Sequence, residues 1–87
     1  MITKERKKEV TNKFALSNND TGSVEVQVGV LTDRINQISN HLQSFSKDKH
    51  SRLGLIKLVG KKRRLLRYLE KHNKSSYDNV MAKLKSL

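Results

Sequence analysis

Basic side chains are concentrated between residues 47 and 74. This stretch holds eleven of the nineteen Lys and Arg residues but two of the eight acidic ones, in a chain with a formal net charge of +11. Such a localised charge attracts polyanions, because each phosphate it neutralises releases counterions. Drawn as a helix, the stretch carries four cations and a tyrosine on one face at spacings of four and three residues: Lys57, Lys61, Arg64, Tyr68 and Lys71.

The tyrosine in this face has two interpretations. An aromatic ring among cations is suited to stack on or hydrogen-bond to a nucleotide while Lys and Arg neutralise phosphates. A half-buried ring at the helix flank also explains Tyr68. The four cations are expected to contact phosphate.

A polar line runs along an earlier segment of the chain. Gln27, Arg34 and His41 recur at intervals of seven residues, which places them on one edge of a helix. Their side chains can donate hydrogen bonds to base edges, sugars or phosphates. A solvated helix flank produces the same spacing, so the pattern alone leaves both interpretations open.

A turn-forming cluster over residues 17–23 precedes that segment. Its Ser, Asn, Asp, Thr and Gly residues favour a connection that ends in a helix cap at Ser23. Thr21 and Gly22 also offer a hydroxyl and an open backbone to a ligand. The loop is therefore either a simple connection or part of a binding site.

Catalytic chemistry is poorly supported. Asp48, His50 and Ser51 are the residue types of a catalytic triad, but a triad is recognised by geometry across a fold and not by adjacency in sequence. Helix capping and RNA contact explain these residues better. With three His, no Cys and scattered acids, we expect no metal site, no cofactor and no enzymatic activity.

These residues must be positioned by helices. No Pro and four Gly favour an all-α fold. A first helix is predicted over 3–16, with Thr3 as its N-cap and Val10 and Phe14 as an apolar pair. Because it has few apolar residues and several charges, we expect a weak hold on the core and some mobility. A second helix is predicted over 24–45 from an apolar seam at spacings of four and three: Val24, Val28, Leu31, Ile35, Ile38, Leu42 and Phe45.

The basic stretch is predicted to form the third helix, with Asp48 as its candidate N-cap and an end near His72 and Asn73, where Asn is able to adopt a left-handed cap. Lys62 falls inside its apolar stripe, where the stem is expected to pack. A short fourth helix, predicted from Tyr77 onward, covers the open side of an antiparallel hairpin formed by the two long helices. The four helices are expected to form one domain, 1–87.

Other partners are less favoured. Charge does not distinguish RNA from DNA, but no helix-turn-helix or zinc-finger spacing occurs. The basic helix could lie on an anionic membrane, yet its apolar face is aliphatic and a matching helix is available to cover it. No apolar run approaches the roughly 18 residues of a membrane span, and a soluble cytosolic protein is expected.

Beyond these patterns, the chain resembles the small-subunit ribosomal protein S-fifteen family of bacterial and organellar type. The resemblance extends from about residue 3 to the end, on blocks at 19–23, 25–28, 31–32, 34–35, 41–42, 47–48, 50–52, 54–55, 63–69 and Tyr77. It implies a four-helix protein that binds a three-way junction in the central domain of 16S ribosomal RNA. It further implies that small-subunit proteins six and eighteen assemble later, that large-subunit RNA is contacted, and that the free protein is a monomer.

The resemblance also implies two RNA-binding sites. The junction site corresponds to Thr21, Gly22, Gln27, Arg34 and Tyr68, and a second site on one G-U/G-C stretch of RNA corresponds to His41, Asp48 and Ser51. This chain departs from the family pattern at Phe45, Ser46, Lys49 and Leu53, which puts phosphate contacts near the hairpin tip and the large-subunit contact in doubt. A non-specific nucleic-acid-binding protein remains the competing hypothesis, since charge alone would account for it.

Overall fold

The computed structural model describes residues 4–15 and 22–85. They form four helices, α1 (Lys4–Phe14), α2 (Val24–Ser44), α3 (Lys49–His72) and α4 (Lys74–Leu84). The described residues contain no strand. The predicted all-α fold is therefore confirmed, although the proposed cap at Thr3 lies outside the described residues.

The two long helices begin and end as their capping residues dictate. The Ser23 side chain accepts a hydrogen bond from the Val26 N–H at 3.3 Å, and Asp48 accepts one from the Ser51 N–H at 3.1 Å. Between the helices, the Phe45 N–H donates to the carbonyl of His41 at 2.9 Å. The short turn reverses the chain, which confirms the antiparallel hairpin.

All four helices contribute to one hydrophobic core. Its most buried members are Val10, Phe14, Val26, Val28, Leu69 and Val80. The predicted apolar pair of α1 is confirmed, because Val10 and Phe14 are 1% and 0% exposed. Two residues thus supply the apolar contact of a helix that is otherwise charged, and α4 closes the core through Val80. The weak hold of α1 on the core and its mobility stay predictions.

Helix α1 packs on a face of α2 that the apolar seam did not reveal. Val26 is buried outside that seam, whereas Phe45, assigned to its end, is 60% exposed. At Gly29 the Phe14 ring approaches so closely that a Cβ atom would lie 2.4 Å from one ring carbon. The seam therefore leaves out part of the surface that α2 buries. The absence of a side chain at position 29 leaves room for the Phe14 ring of α1.

The connection between α3 and α4 differs from the prediction at Asn73. Its φ of −154° is extended, so the left-handed conformation is wrong. Instead, Asn73 caps α4, because its side chain accepts a hydrogen bond from the Ser76 N–H at 3.1 Å. The same residue ends α3, where its N–H donates to the carbonyl of Leu69 at 2.7 Å.

Candidate nucleic-acid interface

An open cleft on the hairpin brings together three of the residues singled out in the sequence. Gln27 and Arg34 from α2 and Lys61 from α3 line it, with a volume of about 190 Å³. Lys7 of α1 completes the polar lining, and no sequence pattern indicated its presence there. The lining contains amide, guanidinium and ammonium donors but no carboxylate, a composition suited to an anionic ligand.

Gln27 is oriented by the backbone that precedes α2. Its Nε2 donates a hydrogen bond to the Gly22 carbonyl at 2.9 Å. Two residues predicted at the junction site therefore contact each other directly. Thr21, predicted to act beside them, lies outside the described residues.

A network of hydrogen bonds connects the other three predicted residues across the hairpin turn. His41 Nε2 lies 2.9 Å from Asp48 Oδ2, and the Ser51 hydroxyl donates to the same oxygen at 2.7 Å. The three residues line an open pocket of about 230 Å³ with Gln37 and Ile38. Residues from the end of α2 and the start of α3 thus form one cluster.

The carboxylate of Asp48 is stabilised in its charged form. Hydrogen bonds from the Ser51 hydroxyl and N–H, followed by the bond to His41, hold the pKa of Asp48 well below its usual range. An ionised carboxylate is a hydrogen-bond acceptor only. The cluster therefore offers an acceptor in a surface that otherwise presents donors.

The cluster does not have the arrangement of a catalytic triad. In a triad, the hydroxyl donates to an imidazole, which the carboxylate orients. Here Ser51 donates to Asp48 itself, and the histidine of the network is His41 rather than His50. This order leaves no imidazole to accept the proton of the Ser51 hydroxyl.

The basic face of α3, defined as Lys57, Lys61, Arg64 and Lys71, is exposed to solvent. Tyr68, at the flank of this face, is 53% exposed, and its ring centroid lies 4.5 Å from that of His72. About half of Tyr68 is therefore buried, so both interpretations of this residue stay open. The exposed part of its ring is accessible to a ligand.

Lys62 differs from its basic neighbours, as its place in the apolar stripe predicted. The residue is half-buried, and this burial lowers the pKa of Lys62 because the charged ammonium loses hydration. The Lys62 side chain therefore contributes to the packing of α3. The cations available to a ligand are the exposed ones on either side.

Helix α1 is attached to α2 by a polar contact that holds Lys7 at the cleft. Arg6 donates from Nε and Nη2 to Asp33 Oδ1 at 3.0 and 2.8 Å, which raises the pKa of Arg6 above its usual value. Asp33 is 5% exposed, and its other oxygen accepts from Gln37 Nε2 at 3.2 Å. Arg6 and Asp33 are 27 residues apart, so no local pattern could reveal this contact.

Residues 4–15 and 22–85 contain no cluster of three His, Asp or Glu side chains able to hold a metal ion. In the same residues, no helix is both long and apolar enough to cross a membrane.

Fold and charge together define the class, a small and strongly basic all-α protein whose cations are concentrated on one helix of a hairpin. The family model described as Ribosomal protein S15 matches residues 7–87. The chain belongs to this family, and the resemblance found in the sequence is confirmed.

Curated relatives support the assignment over nearly the full length. Small ribosomal subunit protein uS15 of Caldanaerobacter subterraneus subsp. tengcongensis is 51% identical over 84 residues, covering 97% of this chain and 96% of the relative. Its counterpart in Borrelia turicatae is 50% identical with the same coverage. The protein of that name in Halalkalibacterium halodurans is 49% identical over 83 residues, covering 95% and 93%.

Proposed function

We propose that this protein is a structural constituent of the small ribosomal subunit, located in the ribosomes of the cytoplasm, and that it acts as one RNA-binding domain. Membership of the ribosomal protein S15 family supports the assignment to the small ribosomal subunit. We further propose that it binds a three-way junction of 16S ribosomal RNA as a primary binder, without covalent chemistry. The observation that carries this proposal is the carboxylate-free cleft shared by Gln27, Arg34 and Lys61.

The proposed junction site combines two kinds of contact. The basic face supplies steering and salt-dependent affinity, because phosphate attraction is insensitive to sequence. Gln27 and Arg34, with Gly22 and Thr21 at the loop and Tyr68 on α3, read the shape of the junction through backbone and minor-groove groups. The bond from Gln27 to Gly22 supports this role, because a fixed amide loses little freedom on binding.

The proposed second site is the cluster of His41, Asp48 and Ser51. The minor groove of a G-containing pair presents the guanine amino group, and RNA adds the 2′-hydroxyl, which is also a donor. Both groups match the Asp48 carboxylate. The hydrogen bonds from Ser51 and His41 keep that carboxylate oriented and reduce its repulsion of nearby phosphates.

Holding several RNA arms in one orientation is the proposed mechanism. A protein that binds one junction conformer more tightly shifts the RNA population toward it. Small-subunit proteins six and eighteen then bind the selected conformer, so their coupling to this protein passes through the RNA. The contact with large-subunit RNA near the hairpin tip belongs to the same proposal, as does a monomeric state before assembly.

A salt titration tests the junction proposal. Binding is measured to a three-way junction RNA and to a plain duplex of equal length, with wild type and a Gln27→Ala, Arg34→Ala double variant. We expect wild type to prefer the junction by about a hundredfold, or about 2.7 kcal/mol, and the double variant to lose that preference.

A matched control separates position from charge. Gln43→Ala with Arg63→Ala removes the same amide and the same charge at exposed positions that do not line the cleft. This control is expected to retain the preference. If wild type binds both RNAs alike and only salt matters, the protein is a non-specific, charge-driven binder and the junction proposal is wrong.

A further inference from the structure

One face of α3 is open to solvent and belongs to neither site described above. Five residues at spacings of three and four form this outer face: Leu53, Ile56, Gly60, Arg63 and Arg67. The two aliphatic side chains are 59% and 63% exposed, and the two arginines are exposed as well. None of the five lines the cleft or the pocket at the hairpin turn. The outer face is therefore free to serve a separate partner.

The aliphatic half of the outer face is poorly suited to RNA. Leu53 and Ile56 offer neither a hydrogen bond nor a ring, whereas RNA is bound through phosphate attraction, hydrogen bonds and stacking. Two large apolar side chains that lie three residues apart on a helix gain instead from burial against the apolar side chains of a protein. Full burial of one such side chain strengthens binding by about 10- to 150-fold.

The other half of the outer face is cationic and borders an open pocket. Arg63 and Arg67 line this pocket together with Leu66, Glu70 and Tyr77, and its volume is about 280 Å³. Neither guanidinium forms an ion pair with an acid of residues 4–15 or 22–85, so both can pair with carboxylates of a partner. Unlike the cleft, this pocket contains a carboxylate and an apolar wall. Because Glu70 repels phosphates, the lining favours a peptide over a nucleic-acid backbone.

Gly60 separates the two halves of the outer face. A Cβ atom built there would lie 3.8 Å from Arg64 Nη1, an ordinary contact with a flexible side chain. Packing among the described residues therefore does not require a glycine, although a glycine within a helix is less stable than an alanine. The missing side chain allows another backbone to approach α3 closely. From Leu53 to Arg67 the face is about 21 Å long, which matches a helix of about 14 residues.

We propose that the outer face of α3 docks an acidic amphipathic helix of another protein. The apolar stripe of the partner covers Leu53 and Ile56, and its backbone crosses near Gly60. Its Asp or Glu side chains pair with Arg63 and Arg67. Charge complementarity fixes the sign of the partner, because α3 carries nine Lys or Arg residues and one acid. The proposal does not require that the junction proposal be correct, since the two surfaces share no residue.

The test uses two fluorescein-labelled peptides of about 18 residues, long enough to cover the face, with the same content of Leu, Glu and Ala. In the first peptide the Leu residues recur at spacings of three and four, and in the second their order is scrambled, so only the first is amphipathic. Binding to the full-length protein is followed by fluorescence polarisation. Wild type is expected to bind the amphipathic peptide at least about tenfold more tightly than the scrambled one.

Variants of the outer face separate its three kinds of contact. Ile56→Ala is expected to weaken binding of the amphipathic peptide at least about fivefold. Arg63→Gln with Arg67→Gln is expected to weaken binding and to lower its salt dependence. Gly60→Ala is expected to weaken binding as well, although alanine is the more stable residue within a helix. A loss of affinity in this last variant therefore does not arise from unfolding.

Matched controls lie outside the outer face. Met81→Ala truncates an exposed apolar side chain of α4, and Lys4→Gln with Lys8→Gln removes two exposed cations from α1. Both controls are expected to retain the preference for the amphipathic peptide. The proposal is overturned if wild type binds both peptides alike, or if Ile56→Ala and Gly60→Ala bind the amphipathic peptide like wild type. It is equally overturned if these two variants lose as much affinity for duplex RNA or for phosphatidylglycerol vesicles, because the face would then bind nucleic acid or a membrane.

Discussion

Removing one hydroxyl from α4 should destabilise the whole fold. Ser76 Oγ donates a 2.7 Å hydrogen bond to Oε1 of Glu25, a residue that is 8% exposed and lies in the first turn of α2. Ser76→Ala leaves this buried carboxylate without the donor. Losing a hydrogen bond to a charged group costs about 1.5–3 kcal/mol. At this chain length, 1.5 kcal/mol corresponds to a fall in Tm of about 6–12 °C.

Ser75→Ala provides the matched control. Ser75 is the preceding residue of the same helix but is exposed, so both variants gain the same helix propensity. The assay is urea unfolding followed by circular dichroism at pH 7, with Glu25→Gln added to complete a double-mutant cycle. Equal midpoints for the two serine variants, or a coupling energy near zero in the cycle, would refute the reasoning.

Four further predictions concern the free energy of unfolding, each measured by urea denaturation. The pKa of Asp48 is lower in the fold than in the unfolded chain, so its contribution to stability should be present at neutral pH and lost as pH falls below the ordinary carboxyl range. Asp48→Asn should therefore make the free energy of unfolding less dependent on acid pH. An unchanged pH profile in this variant would contradict the prediction. Lys62→Met should raise stability at pH 7, because burial disfavours the ammonium; a lower midpoint would count against it. Gly60→Ala should stabilise by about 0.5–1 kcal/mol, since only Arg64 Nη1, at 3.8 Å, is near the added carbon. Gly29→Ala should instead destabilise by about 1–3 kcal/mol through overpacking against Phe14, and a gain at both glycines would show that this ring yields freely.

The helices and their caps were largely predictable, because they depend on neighbours along the chain. Ser23 and Asp48 act as N-caps as expected, and α2 ends within one residue of the predicted boundary. The exposed basic face of α3 also followed from spacing alone. The conformation of Asn73 was not predictable, because this residue both ends α3 and caps α4. The sequence pattern of one helix alone does not indicate that double role.

The candidate sites were predictable as residue types but not as groups in contact. The seven-residue spacing places Gln27, Arg34 and His41 on one edge of α2, yet Gln27 and Arg34 share the cleft with Lys61 whereas His41 belongs to the cluster with Asp48. That division depends on where α3 crosses α2. No periodicity within a single helix contains this information.

The sequence by itself determined an all-α chain, the ends of its long helices and the concentration of positive charge on α3. Each of these follows from side chains a few residues apart. Only the tertiary structure decided that Arg6 binds Asp33, that Phe14 packs on Gly29, and that Phe45 leaves the apolar seam to stack on His41. The reason is physical: the first two contacts join residues far apart in the chain, so they depend on how each helix is rotated and docked. The third depends on the turn that withdraws Phe45 from the helical path.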